Sequence, residues 1–121
     1  MKSFDVLSVA ANTLNDKKAR DLSAFEVGGL TILSDYILIA TANSSTHVRS
    51  LADEVEEKLT EHGIEPHHVE GRATGWILLD YNEVIIHIFD KTSREFYGLD
   101  RIWSDGKPIN LSEILTSPME V

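Results

Sequence analysis

Two apolar runs, Trp76–Asp80 and Ile85–Phe89, flank Asn82-Glu83, and asparagine is among the few residues that tolerate the positive φ of a tight hairpin turn. The pattern predicts two antiparallel strands joined by a two-residue loop that Tyr81 and Val84 close. That pairing sets Tyr81, Leu79 and Ile77 beside Val84, Ile86 and Ile88 on one wholly apolar face. The opposite face carries Trp76, Leu78 and Asp80 beside Ile85, His87 and Phe89, a mixture of large apolar and polar groups. One face reads as core and the other as a contact surface.

Upstream, Phe4, Leu7, Ala11 and Leu14 recur at three- and four-residue steps, widened by Val6 and Ala10, with Lys17, Lys18 and Arg20 near the end. This predicts an amphipathic helix. Leu22, Phe25 and Val27 suggest a strand from Asp21 to Val27 with imperfect alternation, stopped by Gly28-Gly29. Tyr36–Ala42 is nearly continuous in apolar residues, as in a strand covered on both sides. Asn43-Ser44-Ser45 offers N-cap side chains to a helix whose Val48, Leu51, Ala52, Val55 and Leu59 keep the helical period, and Gly63 is its left-handed stop. Glu54 stands four residues before Lys58 for an ion pair on the solvated side.

After Pro66, His67–Gly71 reads as a short strand, and Gly71 and Gly75 bracket the turn into the hairpin. Asp90 is placed to cap a last helix whose buried side is expected from Phe96, Leu99, Ile102 and Trp103, with Gly98 as an irregularity. The order implies a two-layer α/β (α+β) domain: a mixed five-stranded sheet with about three helices returning across it. Residues 1–105 form this domain, and residues 106–121 are a weakly patterned tail with Pro108, Pro118 and a mobile end.

At 121 residues with 42% hydrophobic content, the chain buries a core without staples, and with no cysteine it has neither disulfides nor thiol chemistry. Neither a signal-like start nor eighteen consecutive apolar residues occurs, so a soluble, unprocessed, cytoplasmic protein is expected. Eleven basic residues against twenty acidic ones give a net charge of −9, which repels phosphate backbones and favours a basic protein partner.

Few residue sets suggest catalysis. Gly28-Gly29 followed by Ser34-Asp35 is similar to the glycine and acid arrangement of nucleotidyltransferases, but the second metal-holding carboxylate that chemistry needs two residues on is replaced by Ile37. Gly28-Gly29 is then a turn and Asp35 a local cap. His67, His68, Glu70 and His87 lack the spacing of zinc sites, and Ser45 and Ser93 lack a nucleophile elbow. Trp76, Phe89 and Phe96 fit a core as readily as a surface, although Trp76 shares its face with Asp80 and His87.

On the segments SDYILIATANSSTHVRSLADEVEEKL (34–59), VEGRATGWILLDYNEVIIHIFDKTSREFYGLDRIW (69–103) and, less fully, KARDLSAFEV (18–27), the chain resembles the ribosomal silencing factor family, also called the Iojap family. It departs from the family at Asn82-Glu83, where Gly-Asp is frequent. The resemblance implies a nucleotidyltransferase-like fold without catalysis or cofactor. It also implies binding to large-subunit ribosomal protein fourteen, obstruction of subunit joining, and repression of translation when nutrients are scarce. Partner-binding residues implied in this region are Trp76, Leu78, Tyr81, His87, Arg94 and Tyr97. A free protein is expected to pair as a homodimer through some of the same surface, and a degenerate nucleotide-binding module is the alternative reading.

Overall fold

Alternation along β4 (Trp76–Asp80) and β5 (Val84–Asp90) is carried through to the folded chain in the register expected: Trp76 faces Phe89, Leu78 faces His87 and Asp80 faces Ile85. The computed structural model describes residues 2–29, 34–71 and 75–117. The hairpin closes where Tyr81 N–H donates to Val84 O at 3.0 Å. Asn82 takes φ 68°, and its N–H is held by Asp80 Oδ1 at 2.7 Å, so the side chain of the last strand residue fixes the turn.

The remaining elements are α1 (Ser3–Asp16), β1 (Arg20–Glu26), β2 (Tyr36–Ala42), α2 (Ser45–Glu61), β3 (His68–Glu70), α3 (Lys91–Tyr97), α4 (Leu99–Ile102), β6 (Lys107–Pro108) and a 3-10 turn at Leu111–Glu113. They build one mixed sheet in the order β3-β4-β5-β2-β1-β6, in which β2 and β5 are parallel and the other pairs antiparallel. The sheet therefore has six strands where five were expected. The extra one is β6, two residues from the weakly patterned segment, paired with Phe25 and Glu26 on β1. Leu111 beyond it is buried in the main core. The expected mobile end from Pro118 and the turn at residues 72–74 lie outside the described residues.

Helix α2 begins and ends as its sequence dictates. Ser44 Oγ accepts from His47 N–H at 3.1 Å, and Gly63 at φ 77° lets Ile64 N–H reach back to Leu59 O at 2.9 Å. Helix α1 ends in the same hydrogen-bond pattern, with Ala19 N–H donating to Leu14 O, but Lys18 rather than glycine takes the positive φ. His47 ties the two ends together, its ring contacting Asn43 N–H and Lys17 O at 2.9 Å each. Glu54 lies 3.8 Å from Lys17, the residue after α1, and Lys58 lies 4.0 Å from Glu61, instead of the expected Glu54–Lys58 pair.

Helices α1 and α2 cover the face bearing Leu38, Ala40, Ile77, Leu79, Tyr81, Val84, Ile86 and Ile88, which with Leu7, Leu14, Val55 and Leu59 make the main core. Phe4 departs from the predicted stripe: it sits at the helix start, about half exposed, edge-on to Tyr36 at 6.1 Å. The imperfect alternation of β1 has a physical cause, a register shift between Arg20 and Ser23 where Asp21 takes φ 51°.

Candidate functional site

On the second sheet face a smaller cluster forms from Val27, Ile37, Ile39 and Phe89, with Phe25, Trp76, Ile85, Leu99 and Trp103 packed against it. Among the described residues α3 and α4 cross this side, and they cover it incompletely. The predicted last helix is broken at Gly98, which adopts φ 59° and separates α3 from α4. That break changes the helical phase. Leu99 and Trp103 still turn inward, but Phe96 and Ile102, expected on the buried side, are 78% and 61% exposed.

The aromatic groups form a chain across the open part of the face. Trp76 stacks on Phe89 with centroids 5.0 Å apart and meets Tyr97 at 4.5 Å; Tyr97 meets Phe96 edge-on at 5.1 Å. Register explains the first pair, because Trp76 and Phe89 are direct cross-strand neighbours. Asp90 explains the second. Its Oδ1 accepts from Ser93 N–H at 2.8 Å and starts α3 immediately after β5, so about two turns later Tyr97 is delivered over the indole. Gly75 leaves the room this cap needs, since a Cβ there would stand 2.2 Å from Asp90 Oδ2.

His87 lies beneath this layer, 6% exposed, and Trp76 Nε1–H donates to its Nδ1 at 3.1 Å. Burial pushes its pKa down to about 4, so the ring is neutral at pH 7. Leu78 stands between two shallow depressions: one runs toward Glu70, Trp76 and Tyr97, the other toward Asp80, Ile85 and Trp103. The centre of the face is thus apolar and its edge carries carboxylates.

Of the six residues expected at a partner surface, Trp76, Leu78, His87 and Tyr97 are brought together here. Tyr81 is not. Strand alternation turns it to the helix-covered face, where it is 8% exposed and part of the main core. Arg94 is near the group but points to the opposite edge of α3, with its guanidinium engaged by Asp100, Thr41, Ser23 and Asp21. Phe96 and Ile102 are surface residues that the sequence pattern assigned inward; Gly98 was the only signal of the phase change.

Among the described residues, no group of three or more histidine or acidic side chains could hold a metal ion. Asp35 Oδ2 accepts from Ser3 Oγ at 3.1 Å, tying β2 to the start of α1, while Ile37 is buried on the second face. The histidines are divided as well, His68 contacting Glu70 at 2.7 Å on β3 and His87 held by Trp76.

Comparison with known proteins decides the family. Residues 1–120 match the family described as "Ribosomal silencing factor during starvation". The ribosomal silencing factor of Halalkalibacterium halodurans is 32% identical over 117 residues, 96% of this chain and 100% of that protein. The chain belongs to the ribosomal silencing factor family. The Bacillus subtilis ribosomal silencing factor is 34% identical over 106 residues, 87% of this chain and 90% of that one. Among solved structures, a crystal structure of a Chromobacterium violaceum protein matches with a TM-score of 0.83 and 26% identity, covering 100% of this chain and 94% of the other. The family is one of ribosomal silencing factors, and the aromatic platform is the feature of this chain that its function must use or leave bare.

Proposed function

We propose that this ribosomal silencing factor docks through the second sheet face onto large-subunit ribosomal protein fourteen. It acts there without catalysis, in the cytoplasm, by occupying the surface on which the small subunit would land and so repressing translation when nutrients are scarce. One observation carries the reading: half-buried Trp76 and Leu78 with exposed Tyr97 and Phe96 leave an aromatic and aliphatic surface open on a chain of net charge −9, and Ile102 on α4 is a further exposed apolar side chain. Exposed apolar groups gathered on one face mark interaction sites, and tryptophan and tyrosine are the side chains that most often anchor them. A carboxylate-bearing edge at Glu70 and Asp80 suits a basic ribosomal protein.

Trp76, Leu78 and Tyr97 make the contact in this reading, and His87 supports Trp76 from below. Tyr81 contributes by closing the hairpin on which Leu78 and His87 stand. In the free protein the same surface pairs two copies as a homodimer, so dimerisation and docking compete. Cosedimentation with separated ribosomal subunits tests the reading. Binding to large subunits alone, with loss of subunit joining, is expected; binding to small subunits, or joining that proceeds unhindered at saturating protein, overturns it.

A further inference from the structure

Helices α3 and α4 present a problem of stability. Phe96, Tyr97 and Ile102 are displayed by them, yet none of the residues from Lys91 to Ile102 is buried. Short helices are marginal in water and ordinarily depend on an apolar face pressed into a core. Here the inward contacts include partly covered Leu99 and the ring of Tyr97 against Trp76 and Phe89, and neither residue is buried.

The missing constraint is polar. Arg94 has five N–H donors, and each has an acceptor: Nε and Nη2 reach the two carboxylate oxygens of Asp100 at 3.1 and 2.9 Å, Nη2 also reaches Ser23 Oγ at 3.1 Å, and Nη1 reaches Thr41 Oγ1 at 2.9 Å and the carbonyl of Asp21. These partners lie on α4, on β1 at its register shift and on β2. One side chain therefore joins both short helices to two strands of the sheet. Its side chain is only 13% exposed.

Two backbone irregularities make this possible. Residues six apart on an unbroken helix stand well away from each other around the axis, so Arg94 and Asp100 meet only because Gly98 at φ 59° turns the chain back. Asp21 at φ 51° lies between Arg20 and Ser23, where the register of β1 shifts, and its carbonyl accepts from the guanidinium. The forked geometry is specific to arginine, since lysine carries a single nitrogen and cannot hold both carboxylate oxygens and two strands at once.

We propose that Arg94, with Asp100, is a positioning pair: it fixes α3 and α4 on the sheet and thereby holds Tyr97, Phe96 and Ile102 in place for docking, without itself touching the partner. The inference rests on the docking reading above and assigns Arg94 a role different from direct contact. It has a consequence for substitution. A surface charge that meets a partner directly is served in part by lysine, whereas a five-donor clamp is not.

Amide hydrogen exchange and large-subunit binding, measured together on Arg94→Gln, Arg94→Lys, Asp100→Asn and the Arg94→Gln/Asp100→Asn double variant, test it. Exchange in residues 91–102 is expected to quicken by about tenfold or more in each variant while α2 and β5 keep their protection. Affinity should fall by about tenfold in Arg94→Gln and in Arg94→Lys alike, less in Asp100→Asn, and the double variant should be little worse than Arg94→Gln because the two residues act as one unit. Weakened binding with unchanged exchange, or full rescue by lysine, makes Arg94 a direct contact and overturns the proposal. Faster exchange with undiminished affinity reduces the pair to a structural role and also overturns it. A wild-type protein that leaves large subunits unbound refutes the docking reading itself, which separates that failure from failure of the clamp. Asp100→Asn, the mildest change, keeps the comparison decisive should an Arg94 variant lose its fold.

Discussion

The indole Nε1–H of Trp76 donates to Nδ1 of His87 at 3.1 Å, a diagonal contact across the β4–β5 pair. It assigns the proton of the neutral imidazole to Nε2 and fixes the ring plane of the tryptophan. Trp76 is consequently both a surface group and a held one: hydrogen-bonded beneath, stacked on Phe89 to one side and met by Tyr97 on the other. A side chain ordered in this way before a partner arrives loses less freedom on binding.

Burial lowers the pKa of His87 from 6.5 to about 4. Between those values the unfolded chain binds a proton at His87 that the folded chain does not, so stability falls as pH falls through this interval. The contribution is fully present above about pH 6.5 and amounts to roughly 3 kcal/mol lost by pH 4. Asp100 acts in a lower window. The hydrogen bond from Arg94 is the main cause of its lowered pKa, and its stabilisation is present above the usual 3.8 and lost as pH drops further. Urea denaturation from pH 7 to 4.5 is expected to show a steeper decline for the wild type than for His87→Gln, which keeps an acceptor but does not titrate; equal slopes would contradict the assignment.

Tyr81 carries a hydroxyl that is buried and has no hydrogen-bond partner among the described residues. Its pKa is raised by burial first and then by Glu56 and Glu65. Removing an unsatisfied buried polar atom while keeping the ring relieves a desolvation cost of about 1 kcal/mol. Tyr81→Phe is therefore expected to melt at the wild-type temperature or a few degrees above it, about 4 °C for a domain of this size. A clear fall in melting temperature would show that the hydroxyl has a stabilising partner.

The hairpin was legible in the sequence because a period of two, with Asn82-Glu83 between the runs, admits one register that puts all apolar residues on one face. The ends of α2 were legible for a similar reason, as Ser44 and Gly63 each answer a specific geometric need. β6 was not, because two residues carry no period. Phe96 and Ile102 were misassigned because their spacing was read along one continuous helix, whereas the left-handed residue at Gly98 breaks it, so that residues before and after it no longer share one face. The Arg94–Asp100 pair escaped the sequence for the same reason, and its contacts to Thr41 and Asp21 are tertiary. On the candidate surface, the even-numbered residues of β4 and the odd-numbered residues of β5 were placed by alternation, whereas the position of Tyr97 over Trp76 depended on the cap at Asp90.

Phe96 and Ile102 separate surface function from stability. Each is mostly exposed, so Phe96→Ser with Ile102→Ser should change unfolding free energy by no more than about 0.5 kcal/mol per site. Large-subunit affinity should nevertheless fall, and self-association in sedimentation equilibrium should fall with it. A doubly substituted protein that binds and dimerises as the wild type does would remove both residues from the docking surface.

Trp76→Ala, assayed on one preparation for thermal melting and for large-subunit binding, tests the central claim most directly. The indole is half-buried, so its loss is expected to cost about 2 kcal/mol of stability, leaving the chain folded at 25 °C. Truncating an aromatic anchor typically costs a further 2 kcal/mol or so in binding, which corresponds to an affinity about thirtyfold weaker. The account predicts a folded variant whose binding is reduced by that order; a folded variant that binds large subunits with undiminished affinity would contradict it.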